Sequence, residues 1–134
     1  MTNPFIWPIR VYYEDTDAGG VVYHGRYLGF FERGRTEFFR DQGLSVRQLH
    51  EEGIIFPVVR MEIDFRYPAR LDDLVRIESK IISAGNTSFT MQQRLFRSQD
   101  NKLLTEGKVT LVCVNAAMKP KRLPPAVRNI IQND

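Results

Sequence analysis

The sequence holds one cysteine and two histidines. A lone cysteine cannot close an internal disulfide. Cys113 stands between Val112 and Val114, so it reads as a small buried hydrophobe in a reducing, cytoplasmic setting. Sequence places no activating base beside it, which argues against a cysteine nucleophile. No apolar run reaches signal-peptide or transmembrane length, and the opening stretch "MTNPFIWPIR" carries two prolines. No linker, repeat or low-complexity segment interrupts the chain. A large excess of one charge is also missing: the net charge is +3. A pI of about 9.2 suits a phosphate-bearing ligand, but no Arg/Lys-rich stripe points to nucleic acid.

What is present is an ordinary globular balance, 43% apolar and 26% charged over 134 residues. That is enough for one core, and one domain over residues 1–134 is the expectation. Ile9 to Tyr13 reads as a short strand. Then "RYLGFFERGRTEFFRDQG" places apolar or small residues at 27, 30, 31, 34 and 38, the spacing of a helix face. Leu28 and Phe39 widen that face, so the helix should be largely buried, and Gly43 is its natural stop. Ser45 and Gln48 predict a capped short helix ending near Gly53, with His50 on its exposed side.

After Gly53 the period changes to two. Val59, Met61, Ile63, Phe65 and Tyr67 alternate with polar residues and predict a half-buried strand closed by Pro68. Three more strands follow, Leu74 to Ser83, Thr87 to Arg97 and Leu103 to Val114. Short turns join them, so they should form antiparallel hairpins. A last helix should start at Pro124 or Pro125. The expected class is α+β: one long apolar helix against one antiparallel sheet. Such a sheet cannot cover its helix and its own edges, which predicts a homodimer.

The stretch "EDTDAGGVVYHGRY", Glu14 to Tyr27, gathers acids, glycines and a histidine just ahead of the long helix. It can be a plain Asp/Gly turn with local side-chain caps. A calcium loop counted from Asp15 fails, because its twelfth position is Arg26 and not Glu. A transition-metal set of Asp15, Asp17 and His24 lacks a second nearby histidine. No Gly-Lys-Ser/Thr follows the glycines, so a phosphate loop fails, and their spacing is not a dinucleotide fingerprint. Acid–base or nucleophilic chemistry remains. Glycines allow close backbone approach, and a helix start offers free N–H groups that can stabilise an oxyanion. A nearby carboxylate can attack a carbonyl or activate a water.

"VYYEDTDAGGVVYHGRYLGFFERGRTE" resembles the signature of the hotdog-fold acyl-CoA thioesterases of the 4-hydroxybenzoyl-CoA thioesterase class. It is most similar to the YbgC-type branch, associated with the Tol–Pal gene cluster. "ARLDD", "VCV" and "MKP…LP" extend the likeness over nearly the whole chain. The resemblance implies a hotdog fold, a long central helix wrapped by an antiparallel sheet. It implies hydrolysis of acyl-CoA to a free acid and coenzyme A, with no cofactor and no metal.

Residue by residue, the resemblance puts the family's carboxylate on Asp17, as nucleophile or as general base. It gives His24 a role in catalysis or substrate positioning. It sets Tyr13, Gly20, Val22, Tyr23, Gly25 and Tyr27 around the substrate, with polarising amides from the 22–25 region. Asp15 reads as structural and Glu37 as an exposed helix charge. Gly34, where the family often has Ala, should only loosen the helix by a fraction of ~1 kcal/mol. Asn115 stands where Asp is common after "VCV", and both suit a strand end. The alternative is a non-catalytic module that binds acyl groups or acyl carrier protein, linked to envelope or lipid metabolism. An intact Asp17 argues against it, because mere binding has little use for a desolvated carboxylate. Either reading allows a homodimer or tetramer and peripheral association with a membrane.

Overall fold

In the computed structural model, which describes residues 4–133, the helical spacing from Tyr27 to Phe38 becomes one 16-residue helix, Arg26–Asp41 (α1). The ends of the expected 1–134 domain, residues 1–3 and 134, lie outside the described residues. Tyr27, Phe30, Phe31, Phe38 and Phe39 are all buried on one side of α1. Each buried aromatic contributes on the order of 1.5–3 kcal/mol relative to exposure. Leu28 does not join them. It is 45% exposed, at the margin of that face. Gly43 ends the helix at φ +84°. The Leu44 N–H then reaches back to the Phe39 carbonyl and the Gly43 N–H to the Arg40 carbonyl, both at 2.9 Å, which satisfies the open helix end.

Five strands form one antiparallel sheet: β1 Phe5–Arg10, β2 Val58–Phe65, β3 Leu74–Ala84, β4 Ser88–Arg97 and β5 Lys102–Val112. Their order across the sheet is β1-β3-β4-β5-β2. The β3–β4–β5 meander is the expected pair of hairpins, and α1 packs across β1 and β3. Helices Val46–Glu51 (α2) and Pro125–Asn133 (α3) complete the α+β layout. Ser45 accepts from the Gln48 N–H at the start of α2. Tyr27, Phe30 and Phe31 share a core with Val11, Val75, Ile77, Leu95 and Leu104. Phe38 and Phe39 share another with Phe89, Met91, Leu111, Val127 and Cys113. Burial raises the Cys113 thiol above the usual range, with Lys121 opposing.

Three expectations need correction. The first strand lies earlier than Ile9 to Tyr13, because β1 is an edge strand paired only with β3 and so tolerates Pro8. Residues Tyr13–Asp15 instead form a 3-10 turn. The strand expected to end at Tyr67 stops at Phe65, where the Arg66 and Tyr67 N–H groups both turn to the Leu104 carbonyl. Its apolar face is only partly covered: Met61 and Ile63 pack on the cores, while Val59 (59%), Phe65 and Tyr67 are exposed. The reason is position, since β2 is the other edge and has no neighbour beyond it.

Candidate active site

The quoted stretch folds as a tight hairpin that delivers the chain into α1. The Asp17 N–H donates to the Val21 carbonyl at 2.9 Å, and Thr16 pairs with Val22 across the turn. Gly20 takes φ +79°, which the turn requires. Asp17 lies at the tip, exposed, with Oδ1 accepting from the Gly19 N–H at 2.8 Å. Among the described residues its Oδ2 has no hydrogen-bond partner, so one carboxylate oxygen is free to act. The desolvated carboxylate expected at this position is therefore not found in the single chain.

Asp15 does the structural work. It is buried, its Oδ2 accepts from the Tyr12 N–H at 2.8 Å and its Oδ1 lies 3.7 Å from Arg26 Nε. Arg26 also donates to the Glu14 carbonyl, so the start of α1 is tied to the turn before it.

The backbone donors between Val22 and Tyr27 are not equivalent. The Val22 N–H donates to the Ala69 carbonyl at 2.8 Å and the Tyr23 N–H to the Asp15 carbonyl at 2.9 Å. Arg26 and Tyr27 donate to the carbonyls of Tyr23 and His24. Among the described residues, the N–H groups of His24 and Gly25 have no acceptor. These two sit where the helix dipole is positive and where an acceptor oxygen is favoured. The amides expected from the 22–25 region thus narrow to two.

Around them the rings divide the work. The Tyr23 ring lies 4.4 Å from the His24 ring, centroid to centroid, and both side chains are exposed. Gly25 permits this, because a Cβ there would lie 2.9 Å from Tyr23 Cε2. Tyr27 is a buried anchor: its Oη accepts from the Ala69 N–H at 3.0 Å and its ring meets Phe30 and Phe65 edge-on. Burial raises its phenol above the usual range, against the lowering effect of the Ala69 hydrogen bond.

His24, Val22 and Tyr27 line a hollow of about 230 Å³ together with Phe65, Arg66 and Tyr67. Sequence reading assigned Phe65 and Tyr67 to a core face and missed them here. The signal was an aromatic pair directly before Pro68, where the strand has to leave the sheet. Tyr13 is 82% exposed on the 3-10 turn and is not among the residues lining the hollow. Glu37 is not the exposed charge expected: its side chain is 12% exposed and paired with Arg40. Among the described residues, no three His, Cys, Asp or Glu side chains are grouped to hold a metal ion. No helix among them is long and apolar enough to cross a membrane.

The sequence model of the thioesterase-like superfamily matches residues 11–131. The chain belongs to that superfamily. Within it the chain sides with the acyl-CoA thioester hydrolases of the YbgC type. It is 46% identical to the acyl-CoA thioester hydrolase YbgC of Escherichia coli over 94% of both chains. It is 42% identical to the acyl-CoA thioesterase YbgC of Haemophilus influenzae, covering 96% of this chain and 94% of that one. Among solved structures, a probable thioesterase from Bartonella henselae superposes with a TM-score of 0.86 at 42% identity, covering 90% of this chain and 99% of that one. The helix and sheet described above are thus the hotdog arrangement of the thioesterase-like superfamily.

Proposed function

We propose that the protein hydrolyses acyl-CoA thioesters at the hairpin–helix junction. The observation that carries this reading is the pair of unoccupied N–H donors, His24 and Gly25, at the start of α1, beside a turn with a free carboxylate oxygen on Asp17. The thioester oxygen accepts from the two N–H groups, which polarises the carbonyl and stabilises the negative charge that forms on it. Asp17 then attacks the carbonyl carbon or takes a proton from the water that does. The C–S bond breaks, the thiolate leaves as coenzyme A, and water supplies the oxygen of the free acid. His24, on the wall of the hollow, orients the acyl group or shares the proton. Val22 and Tyr27 shape the same wall, and the Tyr23 ring lies against His24; Gly20 and Gly25 let the backbone come close. No cofactor takes part in this scheme.

The assembly belongs to the same proposal. Val59 and Phe65 on β2, Tyr67 just after it and Leu28 on α1 leave apolar surface open beside an unpaired strand edge. A second copy on that edge removes both liabilities and closes water out of the site, in a homodimer or a tetramer built from it. The mild positive charge suits the phosphates of coenzyme A or an acidic acyl carrier protein in the cytoplasm.

The test is thiol release from short, long and aromatic acyl-CoAs, wild type beside Asp17→Asn. Asparagine keeps the acceptor for Gly19 and removes the charge. Loss of about 100-fold or more in kcat with the fold intact supports the reading. Equal turnover by both proteins removes Asp17 from the chemistry, and no turnover by either moves the acyl-binding module ahead. Solvent oxygen found in Asp17 after one turnover selects the nucleophile over the general base.

A further inference from the structure

A second hollow of about 360 Å³ opens between α1, α2 and the beginning of β2. Phe39, Leu49, Ile54, Phe56 and Leu111 make most of its wall apolar. That size and lining suit an organic ligand better than water. One wall residue is out of keeping: Arg35, only 8% exposed.

Arg35 is held from behind by an amide, not by an acid. Its Nη1 donates to Gln93 Oε1 at 3.1 Å. Gln93 is itself buried, and its Nε2 donates to the Phe31 carbonyl at 2.8 Å and to Ser79 Oγ at 3.0 Å. The amide therefore cannot turn, and its oxygen stays aimed at the guanidinium. A guanidinium carries five N–H donors. Among the described residues Gln93 is the only hydrogen-bond partner of Arg35, and no carboxylate lies within ion-pair reach. Glu32 and Thr36 share its side of the hollow and His50 lies on the α2 side, with Glu32 and His50 exposed. Burial lowers the Arg35 pKa from the usual guanidinium range, and Glu32 opposes that shift. An enclosed charge held by one neutral amide is a poor way to stabilise a fold. It is a good way to hold donors ready for an incoming acceptor.

The hollow also lies in line with the reaction centre. Leu28, Glu32 and Arg35 follow one another at helical spacing and share one face of α1, and His24 precedes Leu28 by one turn's spacing in the segment leading into the helix. Arg35 sits roughly 14 Å beyond Arg26 along the helix axis. Leu28 and Glu32, both exposed, lie between the two ends.

We propose that this hollow takes the far end of the acyl group, and that Arg35 selects acyl groups ending in an oxygen acceptor, a carboxylate above all. This rests on the thioesterase reading and adds the substrate class. Thioesters ending in a methyl group leave the Arg35 donors unpaired and are the poorer substrates.

The test compares octanoyl-, decanoyl- and dodecanoyl-CoA with their counterparts ending in a hydroxyl or a carboxylate. Wild type should favour the carboxylate-ended member by at least about tenfold in kcat/KM at the best length, with the hydroxyl between. Arg35→Met should abolish or reverse that order while methyl-ended thioesters are still hydrolysed. Arg35→Gln, which keeps a donor for Gln93, replaces it if the Met variant does not fold. A wild-type preference for methyl-ended thioesters at every length overturns the proposal, and so does a carboxylate preference that survives loss of the guanidinium. If no thioester is hydrolysed, the thioesterase reading fails, and Arg35 is judged apart from it. The readout is then calorimetric binding of S-alkyl coenzyme A thioethers ending in methyl or carboxylate. Tighter binding of the carboxylate form supports the proposal, and equal binding overturns it.

Discussion

Gly34 rests on Ile77 with no room between them: a Cβ at Gly34 would lie 2.8 Å from Ile77 Cγ2 and 3.1 Å from Gln93 Nε2. Helix α1 and strand β3 approach this closely only because the helix presents a hydrogen there. The expectation that Gly34 merely loosens the helix is therefore incomplete. Gly34→Ala gains up to about 1 kcal/mol of helix propensity and meets an overpacking cost of ~1–3 kcal/mol. The net outcome should be destabilisation by about 1 kcal/mol, read as a lower urea midpoint at unchanged slope. A raised midpoint would sink this account of the contact.

Asp15 and Asp17 stand two residues apart and should separate cleanly by assay. Asp15→Ala orphans the Tyr12 N–H and removes the partner of Arg26. The cost should be ~1–3 kcal/mol in stability, seen by denaturant titration. Asp17→Asn keeps the Gly19 hydrogen bond and should stay within about 0.5 kcal/mol of wild type. If Asp17→Asn proves the more destabilising of the two, the structural and chemical roles are assigned the wrong way round.

Tyr27 links stability to alkaline pH. Its phenol is raised in the fold, first by desolvation, so the folded state holds this proton more tightly than the unfolded chain. The associated stability is complete below the unfolded value near 10. It is lost as pH climbs through the higher folded value. Tyr27→Phe should cost ~1–3 kcal/mol at neutral pH by orphaning the buried Ala69 N–H. It should also lose stability less steeply than wild type above about pH 10. Parallel profiles for the two proteins would remove Tyr27 from this role.

The open edge of β2 predicts a concentration-dependent assembly. Val59→Lys places a charge on an exposed apolar position of that edge, a change that discourages strand pairing. Light scattering behind a sizing column should give an oligomer for wild type and a shift toward the single chain for the variant. A wild-type protein that runs as a single chain at all concentrations contradicts the proposed assembly.

Local periodicity alone determined much of this protein. The helix from Arg26 follows from the spacing of Tyr27, Phe30, Phe31 and Phe38, and its stop from Gly43. The β3–β4–β5 hairpins follow from alternation and short turns. Such features depend on neighbours within a few residues, and those neighbours are written in order along the chain. The Asp/Gly turn around Asp17 was legible for the same reason, while the division of roles between Asp15 and Asp17 came from the family resemblance.

Tertiary structure decided the rest, because it depends on partners far along the chain. That β2 is an edge, leaving Val59 and Phe65 open, follows from strand order and not from alternation. Ala69 takes the Val22 N–H across more than forty residues of sequence and Asp15 takes that of Tyr23, so that among the described residues the N–H groups of His24 and Gly25 stay free. Glu37 reads as a solvated charge on a helix, yet packing encloses it. Arg35 reads as one more basic residue in "ERGRTE", yet the sheet buries it against Gln93 beside an apolar hollow. Periodicity tells which side chains share a face. Only the folded chain tells what that face meets, and burial against a distant partner turns an ordinary residue into one with chemistry.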